Sequence, residues 1–179
     1  MKKFILRFII ITGVCLMMCT PVKASITPQL INEWNKQPPN VQWSVFYQNT
    51  NIQVVDKLPW ESPDLEETWA YTSKYKDNNG FINHIDIVVK KGYESALTHE
   101  VGHCLEDQYK VLNWWVIQPC FIEIWQRERL KIPQLAGQGF YDIREYFAKA
   151  YNLYINMPWL LKQGCPDTYN YIRLVLQYT

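Results

Sequence analysis

Histidine is scarce in this chain, with three in 179 residues, at positions 84, 99 and 103. An excess of one charge is missing too, since 18 basic residues face 17 acidic ones for a formal net charge of +1. Without a basic excess or a block of like charge to follow a phosphate backbone, nucleic acid is excluded as a leading partner. No apolar run is long enough to span a bilayer; the run FIIITGVCLMMC ends after twelve residues. Repeats, low-complexity segments and linkers are absent. What is present is a 48% hydrophobic and 15% aromatic composition, enough for one globular domain with a sizeable core.

The N-terminus reads as an export signal. MKKFILR supplies the positive region, the twelve-residue run the apolar one, and Val22, Lys23 and Ala24 the small-residue ending. Residues 1–24 are therefore expected to be a signal peptide cut after Ala24, leaving residues 25–179 as a secreted, extracellular domain with no stable membrane anchor. Lipoprotein cleavage before Cys19 is disfavoured by the bulky Met17 and Met18. Signal removal leaves Cys104, Cys120 and Cys165, an odd number that allows at most one bridge, Cys120–Cys165. A disulfide scaffold is excluded.

Along residues 25–179 the pattern predicts a short helix in ITPQLINEWN, a Pro38–Pro39 break, and two strands up to NIQVVDK. LPWESPDLEETWAYTSKYKDNNGF reads as loop, INHIDIVVKK as a strand punctuated by Gly92, and everything from Glu94 onward as helix. Strands first and helices after give an α+β fold.

The segment ESALTHEVGHCLEDQY carries the chemistry. On a helix, His99 and His103 lie one above the other and can offer two imidazole nitrogens to one ion. Glu100, one position round, is poorly placed as a third ligand but well placed to deprotonate a water that the ion activates. The opposite stripe of Leu97, Val101, Cys104 and Leu105 would bury the helix against the core. A catalytic zinc site needs a third protein ligand. The long metzincin pattern is excluded, because its next glycine and histidine positions hold Glu106 and Tyr109. His84 falls in the expected strand and reads as a satisfied structural histidine. Carboxylates from later helices remain, namely Glu123, Asp142 and Glu145, and periodicity does not choose among them. Glu145 opens EYFAKAY, where Phe147, Ala148 and Tyr151 share an apolar face and Ala148 is small enough for a close helix approach.

HEVGH followed by EYFAKAY, and then by CPDTYNYI, resembles the catalytic domain shared by the anthrax lethal factor and the secreted Pro-Pro endopeptidases of Gram-positive bacteria. The resemblance runs from about Trp60 to the end, with LPWESPDLEETW similar to a tryptophan-bearing loop of that family. It implies a zincin-like fold, a small mixed sheet followed by a mainly helical half bearing the HExxH helix. It further implies one Zn2+ per chain on His99, His103 and Glu145, with Glu100 as general base. The family has a tyrosine seven residues before the glutamate ligand, where this chain has Gln138; Tyr141, four before Glu145, is the alternative donor to the oxyanion.

The expected function is that of a secreted zinc metalloendopeptidase acting on a peptide or protein bound in extended form along INHIDIVV, with Trp60 and Trp69 covering the cleft. Proline-rich cleavage sites are implied by the relatives alone. A monomer is expected. Two other readings stand beside it: a secreted zinc-binding or aromatic-rich binding module with little catalysis, favoured by Gln138, and a toxin-type protease that needs a delivery partner.

Overall fold

A computed structural model describes residues 26–58, 69–79, 82–111, 119–135 and 138–179. The expected signal peptide, the loop bearing Trp60 and residues 112–118 lie outside the described residues. The first helix, α1 (Pro28–Asn35), starts where Thr27 Oγ1 accepts from the Leu30 amide at 3.1 Å, with proline in the first turn, where its missing N–H costs nothing.

Residues 39–47 were expected to run as a strand but form α2 (Pro39–Tyr47). Pro38–Pro39 starts this helix instead of introducing a strand. Val41 and Val45, four apart, are buried on one side, while Trp43, Phe46 and Tyr47 are exposed. Val41, Trp43 and Val45 alternate in sequence, but Val41 and Val45 lie one helical turn apart on a buried stripe. Asn49 takes a left-handed conformation, φ 53°, and the chain turns into β1 (Thr50–Val55).

A second correction concerns β2 (Ala70–Lys76), expected to be loop. It pairs antiparallel with β3 (Ile82–Lys90), which pairs parallel with β1, so the sheet order is β1-β3-β2. The predicted strand INHIDIVVKK is thus the central one, paired on both sides, and cannot take a substrate at its edge. Its Ile85, Ile87 and Val89 face the main core, and Val88 packs on the other face with Val55, Leu58 and Tyr71.

From there the chain is helical, as expected: α3 (Leu97–Val111), α4 (Pro119–Glu128), α5 (Gln138–Tyr141), α6 (Ile143–Asn156), α7 (Pro158–Gly164) and α8 (Pro166–Tyr178). The fold is α+β, with a small mixed sheet ahead of a helical half. Leu97, Val101, Cys104 and Leu105 of α3 are fully buried, and each aliphatic side chain among them contributes roughly 1.5–3 kcal/mol on leaving water. Cys120 is exposed, whereas Cys165 is buried with its thiol donating to the Glu128 carbonyl at 3.5 Å; the expected bridge between them is not formed. Among the described residues no helix is long and apolar enough to cross a membrane.

Candidate metal centre

The strand-to-helix connection fixes where HEVGH points. Gly92, with φ 88°, supplies the left-handed turn after β3, and one 3-10 turn (Glu94–Ala96) then leads into α3. With the apolar stripe of α3 turned into the core, His99 and His103 face α6. The two helices meet where Gly102 lies against Ala148, and this contact brings Glu145, in the first turn of α6, over the imidazoles.

The three side chains converge. His99 Nε2 and His103 Nε2 are 3.2 Å apart, His99 Nε2 is 3.3 Å from Glu145 Oε2, and His103 Nε2 is 3.2 Å from Glu145 Oε1. These separations match the edge of a tetrahedron with zinc-to-ligand bonds of 2.0–2.1 Å, which is roughly 3.3 Å. Two imidazole nitrogens this close repel unless a proton or a cation lies between them. A His-His-Glu donor set of borderline softness fits zinc, and the cluster could hold a metal ion.

The electrostatics point the same way. Burial pulls the His103 pKa down, but Glu106 and Glu145 outweigh it and raise the value to about 9. His103 and His99 in turn hold the Glu145 carboxyl well below the usual carboxylate range. The carboxylates of Glu106 and Glu145 thus set negative charge around His103, as a site for a divalent cation requires.

A second layer of side chains surrounds the cluster. Glu106, buried on α3, puts Oε2 3.7 Å from His103 Nδ1, an ion-pair distance, and its Oε1 pairs with Arg144 Nε at 2.9 Å. Lys74 Nζ donates to the His103 carbonyl at 3.0 Å. From β2, Thr72 Oγ1 donates to Glu100 Oε2 at 2.6 Å, and Glu100 itself is buried beside the cluster.

Of the residues singled out in the sequence, the structure brings together His99, His103 and Glu145, with Glu100 on the same helix. Asp142, Glu123 and His84 are not part of that cluster. Asp142 is the N-cap of α6, accepting from the Arg144 amide at 2.8 Å, and Glu123 is exposed on α4. His84 lies on β3 with Nε2 3.0 Å from Asp86 Oδ1 and its ring against Tyr75. Tyr141 does not share a helix with Glu145: the chain is extended at Asp142 (φ −120°, ψ 116°), and Tyr141 is 82% exposed on the one-turn α5. The Gln138 side chain lies outside the described residues. Trp69 immediately precedes β2 and stacks on Tyr93 with ring centroids 5.4 Å apart.

Sequence reasoning missed Thr72, Glu106, Lys74 and Arg144 as neighbours of the site. Glu106 had a signal, being one helical turn after His103. Thr72 had none, because it reaches Glu100 across 28 residues of chain.

Residues 51–175 match the family described as Anthrax toxin lethal factor, N- and C-terminal domain. No curated protein matches the chain.

Proposed function

Because the chain belongs to the anthrax toxin lethal factor family, matched over residues 51–175, we propose that it is a secreted zinc-dependent endopeptidase of zincin-like fold. The observation that carries this reading is the convergence of His99 Nε2, His103 Nε2 and Glu145 at separations of 3.2–3.3 Å. These three would hold one Zn2+ per chain. When bound, the ion supplies a Lewis acid that polarises the scissile carbonyl and makes water acidic near neutral pH.

Glu100 is the proposed general base. With Oε2 held by Thr72, its other oxygen takes the proton of the attacking water and hands it to the leaving amine, one proton gained and one returned. Tyr141 or Gln138 would donate to the oxyanion, a role worth roughly two orders of magnitude in rate.

The substrate reading moves from β3 to β2, the outer strand beside α3. The Lys90 amide donates to the Trp69 carbonyl at 2.8 Å, marking this as a hydrogen-bonded pair. By the antiparallel alternation, the backbone N–H and C=O groups of Ala70, Thr72 and Lys74 then point away from β3. An extended peptide added there would run along the top of the HEVGH helix. Export through residues 1–24 and cleavage at proline-rich sites belong to the same proposal, supported by the signal-like N-terminus and by the resemblance.

The test compares metal content and peptidase activity of the protein purified from a secreting host with those of Glu100→Ala and Glu145→Ala. The reading requires zinc in the wild type and in Glu100→Ala, cleavage in the wild type alone, and metal loss in Glu145→Ala. Zinc retained without Glu145 overturns the ligand set, and tight zinc binding with no cleavage of any peptide favours a binding module over an enzyme.

A further inference from the structure

We infer that Thr72 is a positioning residue for Glu100, fixing the carboxylate of the general base from the same strand position whose backbone would pair with substrate. The inference rests on the peptidase reading above.

Glu100 lies in the first turn of α3. A glutamate there has three rotatable bonds and an alternative use, since the unsatisfied N–H groups and positive end of the helix dipole attract its carboxylate. A base folded back onto its own helix would not meet a water above the histidines. The Thr72 hydroxyl opposes that: it donates to Oε2 at 2.6 Å, a charge-assisted hydrogen bond, and its 3.4 Å approach to the Glu100 carbonyl is too long to compete for the single proton. With Oε2 occupied, Oε1 is left to accept and release the proton, and the hydroxyl proton of Thr72 stays in place throughout.

Thr72 is itself well fixed. It is β-branched, which limits χ1, and it is paired with Ile87 of the central strand. Its backbone groups point outward while its side chain points inward to Glu100. A peptide adding to β2 would therefore bond to the residue that aims the base, tying correct seating of the substrate to the geometry of proton transfer.

The experiment uses the intact zinc-loaded protein with Thr72→Val, which keeps shape and β-branching but removes the donor, and Thr72→Ser, which restores it. Three quantities are read: zinc per chain, the Glu100 carboxylate stretching band in infrared spectra identified by subtraction of Glu100→Gln, and kcat and KM on a peptide substrate. Expected for Thr72→Val are unchanged zinc, a shifted band, kcat lower by about tenfold to a hundredfold and KM within about twofold, with Thr72→Ser close to wild type on each. A band that stays in place overturns the proposal. So does a rise in KM with unchanged kcat, which would leave Thr72 shaping only the strand edge. If the wild type cleaves nothing, the peptidase reading fails separately, and the band still decides whether Thr72 holds Glu100.

Discussion

Gly102 lies so close to Ala148 that a Cβ added to it would sit 2.8 Å from the Ala148 Cα and 3.2 Å from its carbonyl oxygen. Both are backbone atoms, which cannot step aside as a side chain can. The helices can approach this closely only with glycine at 102, and the approach sets the height of Glu145 above the two imidazoles.

Replacing Gly102 with alanine therefore opposes two effects. Alanine favours an isolated helix by about 1 kcal/mol, while overpacking against a neighbouring backbone costs about 1–3 kcal/mol. At 2.8 Å the second wins. Gly102→Ala is expected to lower thermal stability and weaken zinc binding by at least about tenfold, measured by thermal unfolding with and without zinc and by competition with a chelator. Wild-type zinc affinity in a stable Gly102→Ala protein would show that the helix separation does not set the site.

The helix pair was legible in the sequence because its signals are local. HEVGH, the buried stripe of Leu97, Val101 and Leu105, and small Ala148 all follow helical spacing. The choice of Glu145 over Asp142 and Glu123 came from family resemblance, because it depends on which turn of α6 faces α3, and one residue's periodicity does not carry that. β2 sits between turn signals at Pro63 and DNNG that mark the stretch as loop, and its Thr72-Ser73-Lys74 centre is polar. Those polar groups turn out to serve the site, with Thr72 on Glu100 and Lys74 on the His103 carbonyl. α2 is hard to tell from a strand because Val41, Trp43 and Val45 alternate; only the Val41 to Val45 spacing and proline in the first turn mark the helix.

The pH behaviour of the metal-free protein follows from opposite shifts. His103 is raised from 6.5 to about 9, so the stability it contributes is fully present below 6.5 and lost as pH rises through about 9. Glu145 is depressed from 4.5, so its contribution is present above that value and lost as pH falls toward its lowered one. Metal-free protein is expected to be most stable between these limits, and zinc, which needs unprotonated imidazole, should displace the His103 proton near neutral pH. Calorimetric titration with zinc at pH 7 in buffers of different ionisation enthalpy should show about one proton released per ion. No release would mean that His103 is already neutral.

Glu128 predicts the opposite separation of stability from chemistry. Its buried carboxylate accepts from the Thr168 amide at 2.9 Å and the Thr168 hydroxyl at 2.8 Å, and pairs with Lys131 at 3.2 Å, tying α4 to the start of α8. The Tyr146 hydroxyl, 2.8 Å from Thr168 Oγ1, extends the network into α6. Glu128→Ala leaves buried donors without an acceptor and is expected to cost about 2–4 kcal/mol in denaturant unfolding. Zinc per folded chain should be unchanged, because no hydrogen bond of this network ends on His99, His103 or Glu145. Loss of zinc from folded Glu128→Ala protein would mean that α8 helps to set the position of α6.

Glu106 predicts a loss of metal affinity without loss of fold. Its Oε2 is buried and finds no hydrogen-bond donor among the described residues, yet it lies 3.7 Å from His103 Nδ1. With His103 Nε2 committed to a metal, Nδ1 carries the proton, and a small movement of the ring turns the ion pair into a hydrogen bond that fixes the tautomer and strengthens the ligand. Arg144 holds the other oxygen at 2.9 Å and keeps the carboxylate aimed. Removing such a partner usually weakens metal binding by about tenfold to a hundredfold. Glu106→Ala should do so while the protein still unfolds cooperatively, and Arg144→Ala, which removes a half-exposed ion pair, should have a smaller effect of the same sign. Cobalt substitution supplies the control, since a change in the visible absorption of cobalt-loaded Glu106→Ala reports the ligand field directly. An unchanged spectrum together with wild-type zinc affinity would assign Glu106 to holding α3 against α6 and to nothing at the metal.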